Sequence, residues 1–526
     1  MKKIRFITLF LIIIFTICFQ NIHIVSANEE KGTTYYISSD GVDSNSGTSP
    51  EEPVSYNFAN KYAFSANDTI LLKRGDTFYG TLAPIVDSGE GKFTIADYGK
   101  GELPIIKTVQ VTNDEWKKEN DGFYSFDLKE LGNHTGVGGT SSNICRIEDA
   151  SGKTIGRLMN DKVYCEKEYD YYIYDNCVYM KSKSELTSSF GKLEFVLEEN
   201  GIEVSNNFHI KNLKITNCGR FGINFGNTVP RNVSINNCII TDNGNGLRND
   251  GFSDGGGIMI YDGCFDVNIK KNIISDNYGP ALRIFGGHIR YWNELSIKNN
   301  IISNNTQALS IDAGGNDPDI GLDNVYFMNN LCVNQGKNIE NEIFDLNQSS
   351  DILIGSFGGQ LFHLYIKGNT FINGNDEWRY ISCNYDERFA SITSGNNHIY
   401  ASKEDAEIIN LFQYYSEDFE ADDDSQQTLF EIQDNFDIER GSEIAKADKK
   451  QINALLKQIA TENYSKSIKC ASDNFTYERM TDAENPFTFK DFVGLFHESV
   501  IVSFLIMFIL GIALIIYKII LKKQRT

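Results

Sequence analysis

Between residues 213 and 369 the chain repeats one short pattern: an apolar residue, any residue, a second apolar residue, and three positions later Cys or Asn. The copies are Leu213 and Ile215 with Cys218, Val233 and Ile235 with Cys238, Val267 and Ile269 with Asn272, Leu295 and Ile297 with Asn300, Val325 and Phe327 with Asn330, and Leu364 and Ile366 with Asn369. Apolar side chains two apart share one face of a strand, and a polar residue at a fixed offset marks the turn that follows. The central apolar residue recurs after 20, 34, 28, 30 and 39 residues, the uneven period of a solenoid whose coils carry loops of different length. A second apolar pair follows four of the turns, at Ile223 and Phe225, Ile258 and Ile260, Leu282 and Ile284, and Leu309 and Ile311, so each coil holds at least two strands. Asn243, Asn277 and Asn305 recur eight residues after the central position in three successive copies. Asparagine takes the left-handed backbone of tight corners, and stacked amides hydrogen-bond along a pile, so these residues are read as structural. Cys218 and Cys238 fall at the same place in the pattern, ~4.8 Å apart if stacked; that permits a disulfide, but buried thiols are the expectation.

Residues 111–200 lack the pattern and read as aromatic-rich alternating strands, such as Tyr171–Tyr174 and Cys177–Met180, a β-rich insertion ahead of the main coils. Both ends of the chain point to a membrane. Lys2, Lys3 and Arg5 precede an apolar run to Phe19, and Val25, Ser26 and Ala27 offer a cleavage site, the pattern of a signal peptide. Val500–Tyr517 is 18 residues without a charge, long enough to cross most of a hydrocarbon core about 30 Å thick, and Lys518, Lys522, Lys523 and Arg525 place the tail in the cytoplasm. The expected organisation is a signal peptide over 1–27, a solenoid over 28–400 with its main rungs from about 201 to 400, an acidic segment over 401–497 with helical pattern at Ile444–Ile459, a transmembrane helix over 498–521 and a basic tail over 522–526.

The formal charge of -22 argues against nucleic acid or an anionic membrane surface as a direct partner. Residues 415–440 hold ten of the carboxylates, a solvated spacer rather than a calcium loop, because no D-x-[DN]-x-[DN]-G sequence is present. No C-x-x-C pair occurs among the ten cysteines, which leaves a zinc or redox site without support.

With these rungs, Tyr35-Tyr36-Ile37-Ser38 followed by Asp40-Gly41, Asp43, Asn45, Gly47-Thr48 and Pro53 is similar to the opening strand and cap of the right-handed parallel β-helix family, which includes pectate lyases and related polysaccharide-active proteins. Asn67–Leu72 with Gly75–Phe78 resembles that family's first full rung. The resemblance covers about residues 33–400 and implies an all-β, right-handed parallel β-helix; for chemistry it implies only contact with a polysaccharide.

On such a stack the outward residues of equivalent strands form columns. The second strands give Asn224, Met259, Arg283 and Ser310, and beside them Gly226, Tyr261, Phe285 and Asp312. The loops around these strands hold Asp250, Asp254, Asp262, His288, Arg290 and Trp292. Two chemistries fit that set. A lyase acting on uronic acid sugars needs a neutralised carboxylate and a base: Asp250, Asp254 and Asp262 are the candidate calcium ligands, with Arg283, Arg290 or His288 for charge stabilisation or proton removal. A hydrolase needs two carboxylates across the scissile bond, Asp250 or Asp254 with Asp262 or Asp312. Asn249-Asp250-Gly251 and Gly287-His288 resemble polygalacturonase-like signatures, but the paired aspartates and the Arg-x-Lys that accompany them are missing, as is the pectate-lyase Arg-x-Pro-x-x-Arg. Tyr261, Phe285, Trp292 and Asp312 are the candidate substrate contacts. The expected function is binding of an extracellular or envelope polysaccharide, expected to be acidic, with cleavage or modification of it as one outcome and non-catalytic glycan adhesion as the alternative.

Overall fold

The computed structural model describes residues 32–412 and 436–439, apart from 90, 113–115, 129–143, 151, 227–228, 246–254, 262, 287–291, 315–320, 337–349, 358–359, 362–363, 374–378, 385–391 and 403–408. The segments 1–27 and 498–521 lie outside these residues; among the described residues no helix is long and apolar enough to cross a membrane.

Three parallel sheets wind around one apolar interior, so each main coil contributes three strands. One coil runs Arg231–Asn236 on face 1, Ile239–Thr241 on face 2 and Gly256–Tyr261 on face 3; the next runs Phe265–Lys270, Ile273–Ser275 and Leu282–Gly286. Among the described residues face 1 holds 11 strands, face 2 holds 10 and face 3 holds 8. Register is strict: Ile235 pairs with Ile269 and Ile269 with Ile297, so identical inward positions stack from coil to coil. Ile235, Ile269, Ile297, Ile258 and Ile284 are all 0 % exposed, and this continuous aliphatic ladder is the main stabilising element.

Two corners per coil, five residues apart, share one conformation. Asn237, Lys271, Asn299 and Asn329 turn face 1 into face 2, and Asp242, Asp276, Asn304 and Asn334 end face 2, with φ between 49 and 58° in every case. The residue after each corner points inward and builds a ladder. Asn272, Asn300, Asn330, Asn369 and Asn397 form one, each amide donating to the next Oδ1 at 3.0–3.2 Å. Asn243, Asn277, Asn305 and Gln335 form the other, at 2.8–3.2 Å. The stacking expected of Asn243, Asn277 and Asn305 is therefore present, but the left-handed backbone sits one residue earlier. The division follows from geometry: the residue after the corner points into the stack, and a buried amide there must find partners up and down it.

The first copy of the sequence pattern is corrected by five residues. Ile210, not Ile215, pairs with Ile235, so Phe208–Lys211 is the face 1 strand and Lys214–Thr216, the neighbour of Ile239–Thr241, belongs to face 2. Phe208, Ile210, Leu213 and Ile215 all alternate inward, and two strands five residues apart present the same apolar signature. The true step is 25 residues, as the His209 to Ser234 pairing records. It follows that Cys218 and Cys238 do not share a position: the Cys218 N–H donates to Asn243 Oδ1 at 3.1 Å, and the Cys238 N–H to Asn272 Oδ1 at 2.9 Å, so each thiol heads a different ladder. Both are free, and burial pushes each thiol up to about 12.

At the first end of the stack the helix Tyr56–Lys61, capped by Ser55, packs Tyr56 and Phe58 onto the core beside the aromatic series Phe64, Phe93 and Phe208. Between the face 2 strand Ile105–Lys107 and the face 3 strand Ile202–Glu203 lies the insertion, built from two small antiparallel sheets over a separate core of Trp116, Phe126, Tyr171 and Phe195. It is tied to the stack by Arg146. The Arg146 Nε donates to Glu148 Oε1 at 2.6 Å, Nη2 to the Asp242 carbonyl at 2.6 Å and Nη1 to the Gly244 carbonyl, while the guanidinium lies 4.6 Å from the Tyr278 ring centre. Glu148 in turn accepts from Asn217.

On face 1, His209 Nδ1 bonds Ser234 Oγ at 2.7 Å and its Nε2 is buried without a partner. Burial, reinforced by Lys92 and Lys211, pushes the imidazole down from 6.5 to about 4. A depressed folded value means the contribution to stability is present above pH 6.5 and is lost as pH falls through about 4. The urea midpoint of the native chain should therefore drop more between pH 7 and pH 4 than that of His209→Gln, which keeps a polar ring substitute without the titration; equal drops would contradict this.

Candidate functional site

The variable chain lengths flank face 3. Residues 237–238 suffice to join face 1 to face 2, whereas residues 242–255 and 334–349 lead into face 3 strands, and residues 287–291 and 315–320 lead out. A sheet whose connecting segments vary in length on both edges is where a stacked-coil protein can build a specific surface.

The columns expected on this face are in register. Asn224 pairs with Met259, Met259 with Arg283 and Arg283 with Ser310; Tyr261 pairs with Phe285 and Phe285 with Asp312. The Tyr261 and Phe285 rings stack at 5.3 Å with an interplanar angle of 3°, and the Arg283 guanidinium stands 6.0 Å from the Phe285 ring centre. Earlier in the same sheet Glu203 pairs with Asn224. Its carboxylate is oriented by two amides, accepting from Asn200 Nδ2 at Oε1 and from Asn224 Nδ2 at Oε2, both at 2.8 Å.

Between the carboxylate and the rings lies Gly226. The Phe225 N–H still donates to the Met259 carbonyl, and one residue further the chain turns at Gly226 with φ 59°. A Cβ there would meet only Glu203 Oε2, at 3.9 Å. Continuing the register sets Gly226 level with Tyr261. The first ring of the aromatic stack therefore faces a coil with no side chain in its column, and the Glu203 carboxylate borders that step. Such a step offers an apolar ring face, an oriented acceptor and, two coils on, a cation.

Asp250, Asp254, Asp262, His288 and Arg290 lie outside the described residues, so the calcium set and the loop cluster do too. Trp292 opens the face 1 strand Trp292–Lys298 and pairs with Leu322, which puts its backbone beyond face 3; Asp312 is level with Phe285 on face 3. Among the described residues no group of three or more His, Cys, Asp or Glu side chains can hold a metal ion. Glu203 and Asn200 were not among the sequence candidates. Their signal was present in Ile202 and Val204, one more apolar pair flanking an outward residue, but the strand Ile202–Glu203 is too short for alternation to be read alone.

The family model described as "Right handed beta helix region" matches residues 167–331, from within the insertion to the start of the face 2 strand Leu331–Val333. The all-β, mostly parallel sheets of the described residues are consistent with that β-helix. No curated protein matches the sequence. Among solved structures the β-helix is similar to XylC in complex with xylose (12% identity, 72% of this chain and 70% of that one, TM-score 0.44). It is also similar to the GH136 lacto-N-biosidase from Eubacterium ramulus (11%, 78% and 67%, 0.36) and to pectate lyase Pel9A (13%, 75% and 80%, 0.35). Likenesses at this level carry no statement about the chemistry of this chain.

Proposed function

We propose that this β-helix binds a polysaccharide along face 3, with one sugar seated in the step over Gly226 against the Tyr261 ring. The carrying observation is the placement of Glu203, Tyr261, Phe285 and Arg283 on three of four successive strands of one sheet, with Asn224 on the fourth. Sugars present apolar ring faces edged by hydroxyls; Tyr261 supplies the flat apolar contact and Glu203, held by Asn200 and Asn224, a fixed hydroxyl acceptor. Arg283, beside the Phe285 ring, is a group suited to a uronate carboxylate, which makes an acidic polymer the preferred ligand. On this reading the loops bearing Asp250, Asp254, Asp262, His288 and Arg290 act on the bound chain, with calcium as the cation those aspartates suit, and residues 498–521 tether the exported protein to the cell membrane.

The test uses the full chain in detergent and a panel of acidic and neutral polysaccharides, with and without calcium. Affinity electrophoresis reads binding, ultraviolet absorbance reads unsaturated products, and a reducing-end assay reads hydrolysis. Tyr261→Ala and Glu203→Gln are each expected to weaken binding about tenfold, equivalent to about 1.4 kcal/mol. Asp254→Asn should abolish product with binding intact if the loops are catalytic. Binding without product from any polymer would assign adhesion instead, and no binding to any member of the panel would end the proposal.

A further inference from the structure

We propose that face 1 carries a second, separate track for an acidic polysaccharide, a strip of lysines and tyrosines that holds an extended polyuronate chain along the stack axis. It rests on the face 3 reading only for the class of polymer. Lys270 pairs with Lys298 on adjacent coils, and Lys298 pairs with Met328, which pairs with Lys367. The three lysines therefore stand in one outward column, with their backbones ~5 Å and ~10 Å apart at the spacing of neighbouring strands. In the column beside them Tyr326 pairs with Tyr365, their rings stacked at 4.8 Å and 11°. The Lys298 ammonium lies 5.2 Å from the Tyr326 ring centre and the Lys367 ammonium 5.5 Å from that of Tyr365.

Each ring holds its lysine close to the sheet, which lowers the side-chain entropy lost when a ligand is bound. Because the two rings face each other, their edges are turned to solvent, so the strip offers ammonium groups rather than a stacking platform. A single file of cations fits a single-stranded polyanion whose carboxylates recur along its length. The charge of -22 on the whole chain opposes a polyanion at long range, but at physiological salt charges more than about 8 Å away are largely screened. The acids nearest the lysines along the strands Phe265–Lys270 and Trp292–Lys298, Asp266 and Glu294, are each four residues from the strip, about 13 Å of extended chain. The local strip therefore decides the sign that a bound polymer meets.

Full chain in detergent is tested against polygalacturonate and a neutral galactan of similar length at low and moderate salt. The Lys270→Glu/Lys298→Glu variant is expected to bind polygalacturonate at least about tenfold more weakly, with a flatter salt dependence, and the galactan as the native chain does. Lys270→Gln/Lys298→Gln, which removes charge without adding repulsion, should show the same loss to a smaller extent, and circular dichroism should be unchanged in both. Native affinity and salt dependence in both variants would overturn the strip. Equal loss of galactan binding would also overturn it, as would preferential binding of duplex DNA or anionic vesicles over polygalacturonate. The face 3 reading fails separately, if Tyr261→Ala and Glu203→Gln leave binding of every polymer unchanged.

Discussion

Arg146→Met should destabilise the protein by about 3–5 kcal/mol, the cost of stranding one member of a buried ion pair. Arg146 is 2 % exposed and Glu148 1 %, so neither charge has water to fall back on. The substitution also removes the donors to the Asp242 and Gly244 carbonyls, at the corner from which the chain enters residues 246–254. Methionine keeps most of the volume, which confines the loss to charge and hydrogen bonding. Burial already pushes the Glu148 carboxyl up against the opposing pull of Arg146. Without that pull the carboxyl rises further, and a raised folded value costs stability as pH climbs through it. The deficit of Arg146→Met should therefore be larger at pH 8 than at pH 5 in urea denaturation of the full chain, and Arg146→Met/Glu148→Gln should recover part of it. A deficit under about 1 kcal/mol, or one independent of pH, would mean that the insertion is held to the stack by its apolar contacts instead.

The coils were legible because the face 1 strands alternate outward and inward, and their inward positions are nearly all Ile, Val, Leu or Phe. What misled was the short distance between strands of the same coil. Corners five residues apart repeat the inward pattern within a coil, so Leu213 and Ile215 look like Val233 and Ile235 although they pair with Cys238's coil one strand later. Only pairing partners resolve that, since the hydrophobic free energy of either register is similar and the choice falls to the Asn ladders. The corner position was missed for a related reason. Asparagine occupies both the left-handed corner and the buried ladder site, as at Asn299 and Asn300, and composition alone does not separate the two roles.

The face 3 columns followed from the same alternation, and the Tyr261 to Phe285 stack with Arg283 beside it lies where the spacing put it. Glu203 was hidden because its importance depends on who is next to it: Asn200 from the preceding turn and Asn224 from the following coil, the latter 21 residues away. The lysine strip was equally present as letters, yet lysines in three of four coils read as an ordinary solvated surface until the register shows that they share a column and two sit over stacked tyrosines.

Those ladders also bear the second large prediction. Asn300 is fully buried and makes four side-chain hydrogen bonds: its Nδ2 donates to the Ile269 carbonyl and to Asn330 Oδ1, both at 3.0 Å, and its Oδ1 accepts from the Asn272 N–H at 3.0 Å and Nδ2 at 3.1 Å. Asn300→Ala leaves the Asn272 N–H and the Ile269 carbonyl without these partners inside the stack. At about 1–3 kcal/mol for each orphaned group, the expected loss is about 2–5 kcal/mol. Asn272 Nδ2 keeps the Ile235 carbonyl at 2.9 Å and Asn330 Oδ1 keeps the Asn300 N–H at 3.0 Å, so the damage is confined to one interface between coils. Because a solenoid is held by nearest-neighbour interfaces, weakening one in the middle should also uncouple the halves. Urea unfolding of Asn300→Ala should therefore broaden or split, with limited proteolysis cutting near residue 300, whereas Cys238→Ala, at the head of the same ladder, should shift the midpoint less and leave the transition single. A sharp, single transition for Asn300→Ala within about 1 kcal/mol of the native chain would show that aliphatic stacking alone sets the register.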